Sequence, residues 1–143
     1  MADTVTESVT IRATRDRVIE MVSHLEDTDR WANEARSAQV QEKDDTGRPT
    51  RIKVTLGAVG FTTTATYAVT YTENSVTLEC VEAGLIRRSR IVYTATERKD
   101  GRTDLEMSSS MVVTVPVPQW GLNRAMHSSA RKNLESIRRD AEG

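Results

Sequence analysis

Two histidines, one cysteine, three tyrosines and a few clustered arginines carry most of the chemical capacity of this 143-residue chain. His24 and His127 stand about a hundred residues apart, and neither has a second ligand at metal spacing. No metal and no other cofactor is expected. Cys80 alternates with Val76 and Leu78, a pattern that buries a thiol. An attacking thiolate needs a base and an electropositive setting, and nothing nearby supplies them, so Cys80 is expected to be buried and inert. Tyr67, Tyr71 and Tyr93 are phenols, and an unperturbed phenol with a pKa of about 10 is a poor acid or base at neutral pH. Arg87, Arg88 and Arg90 form one basic cluster and Arg138 and Arg139 another, and both read as solvated faces. No catalytic residue emerges from these types and spacings.

The charge balance narrows the partners. Twenty basic and 21 acidic residues leave a net charge of −1, so there is no field of one sign to hold nucleic acid. A single thiol cannot close an internal disulfide, so nothing argues for an oxidising compartment. Met1 to Glu7 is polar and acidic, unlike a signal peptide. No run approaches the roughly 20 apolar residues of a membrane span, so membrane insertion is not expected and a cytoplasmic location is. The sequence leaves a protein partner unassigned.

The elements that position these groups follow from periodicity. Val5, Glu7, Val9 and Ile11 alternate with Thr6, Ser8 and Thr10, which predicts a strand. Thr14 is a suitable N-cap for a helix over Arg15–His24, with Val18, Ile19 and Val22 at helical spacing. A short second helix or turn is expected over Glu26–Trp31. From Ala35 the period becomes two, with strands over Ser37–Glu42 and Arg51–Leu56 and a turn at Lys43–Gly47. Another turn is expected at Gly57–Gly60. The clearest run follows it. Phe61, Thr63, Ala65, Tyr67, Val69 and Tyr71 share one face, which should point inward. Thr62, Thr64, Thr66, Ala68, Thr70 and Thr72 share the other, a threonine surface suited to solvent. Further strands contain Val76, Leu78 and Cys80, then Ser89, Ile91, Tyr93 and Ala95. Lys99-Asp100-Gly101 is a hairpin turn into a strand bearing Leu105, Met107, Ser109, Met111, Val113 and Val115. Pro116 and Pro118 end that strand, because proline cannot donate to a ladder. Gln119–Glu142 then predicts one long helix with an apolar stripe through Leu122, Met126, Ala130, Leu134 and Ile137.

Six or seven strands joined by short turns make a largely antiparallel sheet. The predicted fold class is therefore α+β: a curved antiparallel sheet around a long C-terminal helix, in one domain spanning residues 1–143. The inward positions from the sheet are Phe61, Thr63, Tyr67, Val69 and Tyr71, then Leu78, Tyr93, Met107, Ser109 and Met111. The helix contributes Leu122, Met126, Ser129 and Asn133. Two readings stand for this set: an ordinary packed core, or the apolar lining of a ligand cavity with a few polar points. Thr63, Ser109, Ser129 and Asn133 need hydrogen-bond partners when buried, from backbone, water or a ligand. Trp31 suits the core; Trp120 suits either a portal or a cap on the core.

The order of these features resembles the START-like, or helix-grip, superfamily (SRPBCC), in its polyketide cyclase/dehydrase and lipid transport branch. The resemblance rests on Trp31 to Val40, on the turn Asp45-Thr46-Gly47-Arg48-Pro49, on Glu82 to Arg88, and on Val115-Pro116-Val117-Pro118. Members often carry Asp seven residues before the tryptophan and Pro two before it; here those places hold His24 and Asp29. The resemblance implies a helix-grip fold with a cavity between sheet and helix. It thereby favours the cavity reading and an apolar guest such as a lipid or polyketide. Its aromatase/cyclase members use ionisable groups in the pocket, often an arginine on a central strand. Phe61–Thr72 contains no Lys, Arg, His, Asp or Glu, so binding is expected ahead of catalysis. A cyclase acting through Tyr and Ser groups, and an interaction module with a filled core, are the alternatives.

Overall fold

In the computed structural model, residues 4–24, 35–58 and 61–143 are described, without the side chains of residues 35–36, 56–58 and 61. The chain runs β1 (Val5–Ile11), α1 (Arg15–Ser23), β2 (Ala35–Lys43), β3 (Pro49–Ala58), β4 (Phe61–Tyr71), β5 (Ser75–Ala83), β6 (Ile86–Glu97), β7 (Thr103–Val113) and α2 (Gln119–Glu142). The expected helix at Glu26–Trp31, the Trp31 side chain and residues 59–60 of the expected turn lie outside the described residues.

The seven strands form one sheet in the order β1-β7-β6-β5-β4-β3-β2, every neighbouring pair antiparallel. Successive hairpins build β2 to β7, and β1 closes the row by pairing with β7 from Val5↔Ser109 to Ile11↔Thr103. Gly47 and Gly101 hold the β2–β3 and β6–β7 turns with φ of 88° and 86°, a left-handed conformation that glycine adopts without steric cost. Thr14 caps α1 as expected, its hydroxyl accepting from the Arg17 N–H at 3.3 Å. β7 ends at Val113, short of the expected Val115 and before Pro116, and α2 begins after Pro118 with no side-chain cap.

Both helices lie on one face of the sheet. The backbone of α2 runs closest to β1, and meets β7 and α1 at fewer points. Its apolar stripe is buried, but unevenly shared. Ala130, Leu134, Ile137 and Ala141 join the main core with α1 and the inner faces of β3 to β7. Leu122 and Met126 form a separate, smaller cluster with Val5. Met111 and Val113 touch the margins of both.

Two expectations need correction. Thr66 is buried rather than solvent-facing, unlike Thr62, Thr64 and Thr70 on the same face. It stands at a β-bulge, where the β4–β5 register shifts between Thr66 and Tyr67, and a bulge bends and twists the strand locally. Cys80 is only half-buried, because β5 parts from β6 at that point. Burial still pushes its thiol pKa up, which makes it a poor nucleophile.

Candidate functional site

The inner face of the sheet collects the predicted residues. Tyr67, Val69, Leu78, Tyr93 and Met107 are buried in the main core, with Tyr71 and Met111 half-buried against it. Leu122 and Met126 belong to the smaller cluster. Thr63, Ser109, Ser129 and Asn133 are buried polar residues. Phe61 holds its place on β4, but its side chain lies outside the described residues.

The polar members divide by what they bond. The Thr63 hydroxyl accepts from the Leu85 N–H at 3.0 Å, so it ties the β5–β6 turn to β4. Tyr71 donates its hydroxyl to the Pro49 carbonyl, and the Arg48 guanidinium stacks 4.3 Å above its ring. Asn133 also has a partner. Ser109 and Ser129 differ. They are 7% and 8% exposed, yet among the described residues neither hydroxyl has a hydrogen-bond partner. Arg15 Nε is the one fully buried side-chain polar atom without a hydrogen-bond partner among the described residues, so the Ser109 and Ser129 oxygens keep some access, and a water or a guest can bond them.

Their position adds to this. Ser109 pairs with Val5 across β1–β7, and Ser129 lies between Met126 and Ala130 on α2. Both therefore stand at the seam where the smaller cluster gives way to the main core. Apolar packing is interrupted there by two hydroxyls.

At the outer margin of the seam, Glu7 links β1 to α2. It accepts from His127 Nδ1 and Arg131 Nε, each at 2.9 Å. These bonds, that from Arg131 foremost, hold the Glu7 carboxyl below its usual range. Glu7 stays ionised, so it serves as a tether rather than a proton donor. Sequence reasoning read Glu7 as one alternating position of β1 and missed its partners, which lie 120 and 124 residues away.

The tether has a pH signature. The folded chain holds the Glu7 proton less readily than the unfolded chain. Its stabilisation is therefore complete above the unfolded pKa of about 4.3 and is lost as the pH falls through the lower folded value. His127 and Arg131 are 40% and 67% exposed, so solvent screening limits the contribution to roughly 0.5–1 kcal/mol. Glu7→Gln is expected to lower the urea midpoint at neutral pH and to flatten the loss of stability below about pH 4. An unchanged acid limb would mean the tether is not coupled to folding.

Clefts elsewhere involve few predicted residues. One of about 450 Å³ lies between α1 and the β2–β3 turn, lined by Ile19, Ser23, His24 and Arg48 among others, and contains none of them. One of about 260 Å³ opens between β5 and β6 and includes Met111. Among the described residues no three His, Cys, Asp or Glu side chains gather as metal ligands, and no helix is long and apolar enough to cross a membrane.

The comparisons with known proteins agree with this architecture. The profile of the family described as polyketide cyclase/dehydrase and lipid transport matches residues 2–142. A START superfamily protein from Mycobacterium smegmatis superposes with a TM-score of 0.86 at 17% identity, covering 97% of each chain. The ZhuI aromatase/cyclase from Streptomyces sp. R1128 gives 0.84 at 14% identity, over 99% of this chain and 94% of that one. The di-domain aromatase/cyclase BexL of the BE-7585A biosynthetic pathway gives 0.74 at 14% identity, with 99% of this chain matching 50% of that one. No curated protein matches the chain. At these identities the solved structures establish the fold alone.

Proposed function

The chain belongs to the polyketide cyclase/dehydrase and lipid transport family, and from that premise we propose that it binds an apolar small molecule, a lipid, polyketide or similar metabolite, between the sheet and α2. The observation that carries this reading is the interrupted packing at Ser109 and Ser129. Two largely buried serines stand at the seam between two apolar clusters, and their hydroxyls keep some access and have no hydrogen-bond partner among the described residues. Small-molecule sites are built this way, with apolar walls and a few polar points that fix orientation.

The same surroundings favour holding a guest over transforming it. Besides the tyrosine phenols, the buried and half-buried ionisable groups pointing inward from the described sheet are Glu7 and Cys80. Glu7 is held ionised by Arg131 and His127, and the Cys80 thiol is pushed up by burial. General acid–base work needs a group poised near the working pH, and neither group is so poised.

Native mass spectrometry of the purified protein, followed by solvent extraction, tests the proposal. A mass excess that extracts as an apolar metabolite is the expected result. A bare chain that also fails to take up a fluorescent polyene fatty acid or its methyl ester would refute it.

A further inference from the structure

The β5–β6 hairpin is incomplete in an informative way. Its register runs from Ser75↔Thr94 to Glu79↔Arg90 and then stops. Continued in step, the next rungs would join Cys80 to Ser89, Val81 to Arg88, Glu82 to Arg87 and Ala83 to Ile86. Gly84-Leu85 would then close a two-residue turn. None of those rungs forms. Cys80, Glu82 and Ala83 keep their pairing with β4, and Val81 is the extra residue at the register shift opposite Thr66 and Tyr67. Ile86 and Arg88 pair with β7, across a second shift. One bulge on each strand thus bends the two apart, and bulges of this kind recur next to functional sites.

The opening is closed at both ends. The Glu79↔Arg90 rung bounds one end. At the other, the turn is anchored on two sides: Gly84 N–H donates to the Thr64 carbonyl, Leu85 N–H to the Thr63 hydroxyl, and Thr114 N–H to the Leu85 carbonyl. A slot of four missing rungs spans about 13 Å along the strands. It is a window in the sheet, coinciding with the cleft of about 260 Å³.

The two sides of the window differ chemically. Cys80, Ser89 and Met111 occupy inward positions, and Met111 borders both apolar clusters at the seam. Tyr67 reaches past β5 so that its hydroxyl and that of Ser89 share a hydrogen bond of 2.9 Å, a polar crossbar on the inner side. The outer lip carries Arg88, Arg90 and Ser110. Arg90 is paired with Glu79 at 3.1 Å. Arg88 has no ion-pair partner among the described residues, and the Ser110 hydroxyl has no hydrogen-bond partner there. Arg87 and Glu82, both exposed, complete the rim, so three arginines face two glutamates.

A cationic lip over an apolar passage matches an amphiphile with an anionic head. We propose that the window binds the carboxylate of an acyl-chain acid at Arg88, with Ser110 as a second donor and the chain passing Cys80 and Met111 into the seam. The proposal rests on the cavity reading above and adds the head-group chemistry and its place. Arginine suits this role because its planar donor fork matches a carboxylate.

Binding of cis-parinaric acid and of its methyl ester, followed by fluorescence, tests it. The wild type is expected to bind the acid about tenfold tighter than the ester, the scale of one charge-assisted hydrogen bond. Arg88→Gln should weaken acid binding about tenfold, to the level of the ester, and so abolish the preference; Arg88 is exposed on the sheet surface, so the variant is expected to fold. Bound acid should also slow alkylation of Cys80 by N-ethylmaleimide. Equal binding of acid and ester, a preference that survives Arg88→Gln, or unprotected Cys80 would each overturn the window while leaving the cavity reading intact. Binding of neither probe would overturn both.

Discussion

Replacing Leu134 by alanine is expected to remove about 3–5 kcal/mol of folding stability. Leu134 is 2% exposed on the second half of α2, in the cluster that joins both helices to the inner faces of the strands. Truncation loses the transfer free energy of the deleted carbons and leaves a void. Neighbours held by sheet pairing collapse into it only in part, which places the cost in the upper half of the usual range. Against a total stability of about 5–15 kcal/mol, this is a large fraction. Urea unfolding should report a lower midpoint with an unchanged slope. Leu122→Ala is the internal comparison. Leu122 is equally buried, but among the described residues its cluster holds only Val5 and Met126 as buried partners, so the cost should be clearly smaller. Equal losses at the two sites would mean that the apolar packing along α2 is not divided.

Ser109→Phe is expected to leave stability within about 1 kcal/mol of wild type while weakening binding of cis-parinaric acid by at least about tenfold. The two readings of the inner face diverge most here. In a filled core an added ring forces neighbours off their rotamers and costs about 1–3 kcal/mol. At a seam with room for a guest, the ring takes up the guest's volume and replaces an unpartnered hydroxyl with apolar surface. Ser109 sits between Val5 of β1 and Ile91 of β6, so the ring projects between strands that are paired on both sides. Strong destabilisation with binding unaltered would identify a packed core and sink the cavity reading.

Most of the scaffold was legible from local chemistry. The strand over Phe61–Tyr71, the Thr14 cap and the Gly101 turn each depend on near neighbours, and the structure places each as expected. The inward set was legible for the same reason: a period of two fixes the face of every residue on a strand once one is known. What escaped depends on partners far along the chain or on breaks in the pattern. Glu7 read only as one alternating position of β1, because His127 and Arg131 come from the other end of the chain. The window escaped because Cys80–Ala83 and Ile86–Ser89 keep strand-like alternation, and Gly84-Leu85 is a good hairpin turn. A bulge adds one residue to one strand, and alternation alone does not reveal which neighbour that strand has abandoned. Thr66 was misassigned for the same reason. The division of the α2 stripe was hidden because Leu122 and Leu134 occupy the same face at the same spacing, and only the sheet opposite tells them apart.

If a guest enters as proposed, that division separates the energy of admission from the energy of folding. The second half of α2 is fastened by the main core and by Arg17, whose Nε donates to the Ala141 carbonyl at 2.8 Å. Among the described residues the first turns have no side-chain cap and a cluster of three buried residues. Lifting them breaks that small cluster and, further along, loads the Glu7 bonds to His127 and Arg131. The helix therefore works as a cantilever, clamped at its C-terminal end and compliant at its N-terminal end. Amide exchange should rise steadily from Ile137 toward Leu122, and a bound guest should flatten the gradient by loading the free end.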